Sequence, residues 1–299
     1  MTMTLAGHTL GTPGLTPPEA VRLFRAAGID AIEIIWQDGY LSGLPESDGG
    51  AALAEVNREA SEHGVTVCCL TPYMVNLNSL DDGERERDLL RFRRCIEDAE
   101  RLGAHRIRTY AGTFRPDQVA ERQARWRQLV ASLAELAPFA AARGVALVVE
   151  NHFSTMTVTA REARELMNCV DHQGVGILYD QANLTFTHSE DPPVAVEVQR
   201  GWIRHVHVKD LIFTDPGKPF AASEVAVVAE EERSVRSRVV GDGILDWLDI
   251  LTRLDDQGYD GYLSLEYEYR WHPDDLPDPA EGFRRSADYL RAVAPEIVR

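Results

Sequence analysis

The sequence predicts an α/β fold, a single closed (β/α)8 TIM barrel over residues 1–299 with one long connection after the seventh strand. Eight β-rich segments alternate with helix-like segments, the count such a barrel needs. Their apolar runs are short and unbroken, as in parallel strands covered on both faces. No glycine fingerprint follows the first strand, which an open dinucleotide-binding sheet would require.

The first strand is the opening LAGHTLG, and TPPEAVRLFRAAG reads as a helix with Thr16 as cap, Pro17 and Pro18 in its first turn and Gly28 as stop. IDAIEIIW is the second strand. A turn-rich loop then leads to a helix over 51–63 closed by Gly64. VTVCCLTP is the third strand, followed by a loop with Tyr73, Asn76 and Asn78. A helix over 85–102 precedes HRIRTYAG, the fourth strand, and a helix over 122–143, with Pro138 as a kink, precedes ALVVENH, the fifth. Thr159 caps a helix over 159–169 before VGILYD, and a short helix over 191–201 comes before IRHVHVKD. The connection over 211–243 carries PGKP, an apolar run at 225–229 and the tail VRSRVVGDG, a length that marks a lid or an inserted hairpin. Helices over 244–257 and 279–293 flank the eighth strand, YDGYLSLEYE.

Composition narrows the partners. A net charge of −17 argues against nucleic acid, whose phosphates call for a basic face. The N-terminus lacks a signal-peptide pattern and no apolar run reaches membrane-spanning length, so a cytoplasmic location with no membrane partner is expected. The four cysteines, Cys68, Cys69, Cys95 and Cys169, have no metal spacing and read as buried, reduced thiols. Association into a homo-oligomer is allowed for, with no stretch marking an interface.

The chemistry sits where apolar runs meet polar tips. Glu150 ends ALVVE, Asp180 ends VGILYD, His207 lies in HVHVKD and Glu266 follows YLSL. Strand alternation puts Glu150 with Ala146 and Val148, Asp180 with Gly176 and Leu178, His207 with Ile203 and His205, and Glu266 with Tyr262 and Ser264. If those faces point inward, the tips converge at the C-terminal mouth, where barrel active sites lie. Singly, such a carboxylate is more often a helix cap and such a histidine a hydrogen-bonded core residue. Together, buried and uncompensated, they would be costly without a divalent cation, and they are suitable ligands for one.

These stretches, ALVVENH, GILYDQANL, HVHVKD, VGDGILDW and GYLSLEYE in that order, resemble the xylose isomerase-like TIM barrels, a family of sugar and sugar-phosphate isomerases and epimerases. The resemblance covers essentially the whole chain and implies one divalent metal ion, Mn2+ or Mg2+ first and Zn2+ or Co2+ second, held by Glu150, Asp180, His207 and Glu266. It departs from the ketose 3-epimerases of that family at Asn183, where they have histidine, and at Lys209 and Asp210, where they have Gly-Glu.

The implied activity is isomerisation or epimerisation of a sugar or sugar derivative, with Glu150 and Glu266 as catalytic carboxylates moving protons through a metal-held enediolate. His152, Asn183, Lys209 and Arg108 are weaker substrate-binding candidates, and for Lys209 a salt bridge near Asp210 is the rival reading. Trp36, Tyr73 and Trp271 are candidate sugar walls, and Arg236 and Arg238 candidate anion contacts. His205 reads as structural. Three alternatives stand beside this: a metal-dependent dehydratase of a cyclitol or dehydroshikimate-like acid, a DNA-repair endonuclease, for which extra histidines and a basic groove are missing, and a non-catalytic binding protein that kept the barrel.

Overall fold

The protein is described by a computed structural model covering residues 2–47, 50–215, 217 and 233–299. Its strands are β1 (Thr4–His8), β2 (Ala31–Trp36), β3 (Gly43–Leu44), β4 (Thr66–Thr71), β5 (Arg106–Thr109), β6 (Ala146–Glu150), β7 (Val175–Asp180), β8 (Ile203–Val208), β9 (Asp210–Phe213), β10 (Val235–Arg238) and β11 (Tyr262–Leu265). Parallel pairing runs β1, β2, β4, β5, β6, β7, β8, β11 and returns to β1, closing the eight-stranded barrel. The two-residue β3 extends the sheet beside β2.

The helices are α1 (Pro17–Ala26), α2 (Ala51–His63), α3 (Asp82–Leu102), α4 (Arg122–Ala141), α5 (Ala160–Val170), α6 (Gln181–Phe186), α7 (Pro192–Val198), α8 (Trp247–Asp256) and α9 (Pro279–Val293). Capping sets several of these ends. The Glu19 carboxylate accepts from the Thr16 amide and hydroxyl at 2.8 Å each, and Thr159 with Glu162 forms the reciprocal arrangement at α5. α3 begins at Asp82 rather than Arg85 because the Asp81 carboxylate accepts from the Glu84 amide, and α8 begins at Trp247 rather than Ile244 because Asp246 does the same for Asp249. α4 runs through Pro138 and stops at Ala141; Leu133, Leu136, Ala137 and Ala140, buried around it, hold that turn against the barrel despite the missing amide. α6, which springs straight from β7, was not expected from the sequence.

Two apolar layers result. The larger fills the space between strands and helices and includes Phe24, Phe92, Trp247 and Phe283. The smaller lies inside the barrel and is built from Ala6, Ala31, Cys68, Cys69, Val148 and Leu178. Cys68 and Cys69 both reach this inner layer because the β2–β4 register shifts between Ile32 and Glu33. All four cysteines are free thiols, but Cys169 is exposed rather than buried, since it lies on the outer face of α5.

The long connection starts as an inserted hairpin, with β9 and β10 antiparallel and Asp210 opposite Arg238. PGKP, apart from its glycine, and the apolar run at 225–229 lie outside the described residues. Asp210 fastens the base of the hairpin: its carboxylate accepts from the amides of Leu211 and Gly241 at 2.9 Å and of Gly243 and Leu245 at 3.2 Å. A Cβ at Gly243 would stand 2.0 Å from that carboxylate, so the VGDG stretch needs its second glycine for this close approach. Asp210→Ala strands the buried amides of Leu211 and Leu245 and frees those of Gly241 and Gly243, and is expected to destabilise the fold by roughly 3 kcal/mol, read as a lowered urea midpoint with the slope unchanged.

Candidate active site

β6, β7, β8 and β11 are neighbours in the barrel, and their register brings the polar tips level: Asp180 pairs with His207, and His207 with Ser264, two residues before Glu266. His207 Nδ1 lies 3.0 Å from Glu266 Oε2, 3.5 Å from Glu150 Oε1 and 3.8 Å from Asp180 Oδ2. One donor atom from each of the four residues lies within 4.8 Å of every other. All four side chains are buried, and Asp180 Oδ2, His207 Nδ1 and Glu266 Oε2 have no well-formed hydrogen-bond partner among the described residues. Three carboxylate oxygens and one imidazole nitrogen, buried and gathered on one point, fit a hard or borderline divalent cation.

The surroundings set the charges. Burial alone would favour a neutral Glu150, but the Arg108 guanidinium, whose Nε donates at 2.6 Å, holds it well below the usual carboxylate range. Burial pushes Asp180 up to about 6, with Lys209 opposing. Against burial, His207 and Lys209 keep Glu266 ionised, while Glu266 and Glu33 raise His207 well above its ordinary value.

The weaker sequence candidates separate. Lys209 Nζ stands 2.6 Å from Glu266 Oε2, 2.9 Å from Asp180 Oδ2 and 3.3 Å from Glu268. It is therefore inside the cluster, and the rival salt bridge near Asp210 is absent among the described residues. Asn183 donates to Glu150 Oε1 at 3.1 Å and accepts from Lys209 at 3.4 Å. Arg108 also lies over Tyr110, 3.5 Å from the ring centroid, and over Tyr73 at 5.1 Å. His152 packs edge-on to Tyr110, 4.8 Å between centroids. Arg270 lies over the Trp271 ring, 5.2 Å from its centroid, and over the ring of Tyr40, which stacks on Tyr73.

Trp36 is no sugar wall. It is fully buried outside the barrel lumen, and its indole donates to Asp98 on α3 at 3.0 Å. Arg236 pairs with Asp275 at 3.0 Å and Arg238 donates to the Ser237 carbonyl, so both serve the hairpin.

Glu33 was missed. Fully buried beneath the four ligand candidates, it accepts from the Thr71 hydroxyl at 2.5 Å and sits 2.8 Å from His205 Nε2 and 3.2 Å from His207 Nε2. His8 Nε2 is 3.6 Å away, while its Nδ1 accepts from the Leu10 amide. Burial brings His8 down to about 4 and lowers His205, so both favour the neutral form. With Nε2 of His207 held by Glu33, Nδ1 is the nitrogen turned toward Glu150, Asp180 and Glu266, and it would offer its lone pair to a cation there on giving up its proton. The available signal was a single carboxylate within the apolar run AIEIIW.

Fold and site together define a (β/α)8 barrel with a carboxylate and imidazole cluster at its C-terminal mouth. Residues 21–293 match the xylose isomerase-like TIM barrel family, and the chain belongs to it. The inosose dehydratase of Geobacillus thermodenitrificans (strain NG80-2) is 29% identical over 166 residues, covering 56% of this chain and 54% of that protein. The chain spans about half the length of the curated relatives it matches. Among solved structures, the IolI protein with a bound zinc atom superposes with a TM-score of 0.78 at 19% identity, over 98% of this chain and 99% of that one. The 3-keto-D-glucoside 4-epimerase YcjR from E. coli superposes with a TM-score of 0.74 at 19% identity, over 97% of this chain and 100% of that one. Both structures share the fold. Among the described residues no helix is long and apolar enough to cross a membrane.

Proposed function

We propose that the protein is a divalent-metal-dependent isomerase or epimerase of a sugar or sugar derivative, acting by proton transfer at a carbon beside a carbonyl. The observation that carries this is the pair of buried, ionised carboxylates, Glu150 and Glu266, whose oxygens face one point together with Asp180 Oδ2 and His207 Nδ1. Glu150, Asp180, His207 and Glu266 would hold the ion, Mn2+ or Mg2+ before Zn2+ or Co2+ given three oxygen donors. A bound ion would polarise substrate oxygens and acidify the neighbouring C–H. The chain's own residues do the rest. One of Glu150 and Glu266, as a carboxylate, takes a proton from one face of the substrate carbon, and the other, after picking up a proton from water, delivers it to the opposite face. Arg108 and Asn183 fix the Glu150 carboxylate, and the rings of Tyr73, Tyr110 and His152 wall the approach. A cytoplasmic setting, self-association and the absence of nucleic-acid or membrane partners belong to the same proposal.

Lys209 favours a second reading, dehydration of a cyclitol or a dehydroshikimate-like acid. Its ammonium lies beside Glu266 and is kept charged, against burial, by Asp180, Glu266 and Glu268. After a carboxylate removes the α-proton, the electron pair forms a C=C bond as the β-hydroxyl leaves, and Lys209 protonates that oxygen so that water departs. The inosose dehydratase similarity supports this branch.

Proton NMR in D2O with Mg2+ and traces of Mn2+, against ketoses, aldoses, their phosphates and inososes, tests both readings. Loss of a carbon-bound proton signal without a new olefin is expected for the first; a new vinylic signal assigns the second. Chelation by EDTA is expected to stop either, and restored Mn2+ to return it. No exchange across the panel with metal bound would overturn both.

A further inference from the structure

The opposite end of the barrel contains a cavity of about 610 Å3, within the roughly 300–1,000 Å3 range of small-molecule sites. It lies under β5, β6, β7, β8 and β11, where the turns at Gly144, Gly174, Gly201 and Gly258 leave the floor open. Arg106 and Arg204 project into it from neighbouring regions of the floor. Arg204 lies across Gly176, where an added Cβ would meet its Cδ at 2.5 Å, so the glycine makes room for the side chain. Arg106 Nε donates to the Arg204 carbonyl at 2.6 Å, and its guanidinium stands 5.1 Å from the Tyr262 ring centroid. Among the described residues neither arginine forms an ion pair with any carboxylate, although Asp260 also lines the cavity and the chain carries a net charge of −17. Burial first and Arg106 second push the Arg204 guanidinium down from its ordinary value. Two cationic side chains lining one half-buried cavity, with glycine space kept for one of them, are an arrangement that an anion would relieve.

We infer that the barrel floor is a second binding site, independent of the catalytic mouth, for a small phosphorylated compound whose oxyanion is held between Arg106 and Arg204. Guanidinium forks suit phosphate oxygens, and the volume leaves room for more than the phosphate.

The test is arginine modification of the wild-type protein by phenylglyoxal, mapped by peptide mass spectrometry at constant ionic strength, with inorganic phosphate and ribose 5-phosphate as probes. Both Arg106 and Arg204 are expected to react at least about fivefold more slowly with a probe present, while exposed Arg58 keeps its rate. Stronger protection by ribose 5-phosphate supports an organic phosphate ligand. Equal protection narrows the ligand to the oxyanion alone and removes the organic part of the proposal. Unchanged rates at both arginines with either probe overturn the site. Because only the labels at Arg106 and Arg204 are read, binding at the catalytic mouth does not register, and failure here leaves the proposed activity standing. In Arg204→Gln, Arg106 is expected to lose its protection; if it stays protected, the paired-arginine arrangement is wrong.

Discussion

Glu150→Gln is expected to reduce carbon-bound proton exchange by on the order of 10³-fold, the scale of losing a positioned general base. The substitution also leaves the buried Arg108 guanidinium without its charge partner, which destabilises a protein by roughly 3–5 kcal/mol. The two effects can be separated. In the double variant Glu150→Gln with Arg108→Gln, most of the thermal stability should return, because no lone charge remains buried, while exchange should stay lost. Exchange in D2O and the melting temperature of the two variants, set against the wild type, check this. If Glu150→Gln exchanges within about tenfold of the wild type, the carboxylate is not the base and its part in the mechanism fails.

Glu33→Ala should destabilise the barrel interior about as much as the loss of Glu150 does. It would leave the Thr71 hydroxyl and the Nε2 atoms of His205 and His207 buried without their shared acceptor. A loss of roughly 3–5 kcal/mol follows from breaking such a buried network. The milder Glu33→Gln keeps the shape but removes the charge that orients His207. Mn2+ affinity is then expected to fall about 10–100-fold, the usual effect of losing the partner of a ligating histidine, as read by calorimetric titration. Unchanged Mn2+ affinity in a folded Glu33→Gln protein would show that His207 needs no such partner.

How far the sequence carries can be judged residue by residue. The barrel was legible because each strand is a short apolar run with a turn signal at its end, and those signals act over a few residues. The convergence of Glu150, Asp180, His207 and Glu266 was legible for a related reason: barrel closure turns the ends of parallel strands toward one mouth, so a polar tip on each suffices. Lys209 was harder. Its position just past β8 was clear, but whether it reached Asp210 or the opposing carboxylates depended on how β9 leaves the barrel. Trp36 went astray because an indole at a strand end has the same local pattern whether it faces the lumen or α3.

What the sequence by itself determined was the order and type of elements, the closed barrel, and the cluster of polar ends at one rim. Tertiary structure alone decided who pairs with whom inside the lumen. Glu33 and His205 are 172 positions apart, and no local pattern links a carboxylate in β2 to an imidazole in β8. Their contact exists because closure places the two strands across a narrow interior from which water is excluded. There an unpaired charge is costly enough that the carboxylate must find the imidazoles opposite it.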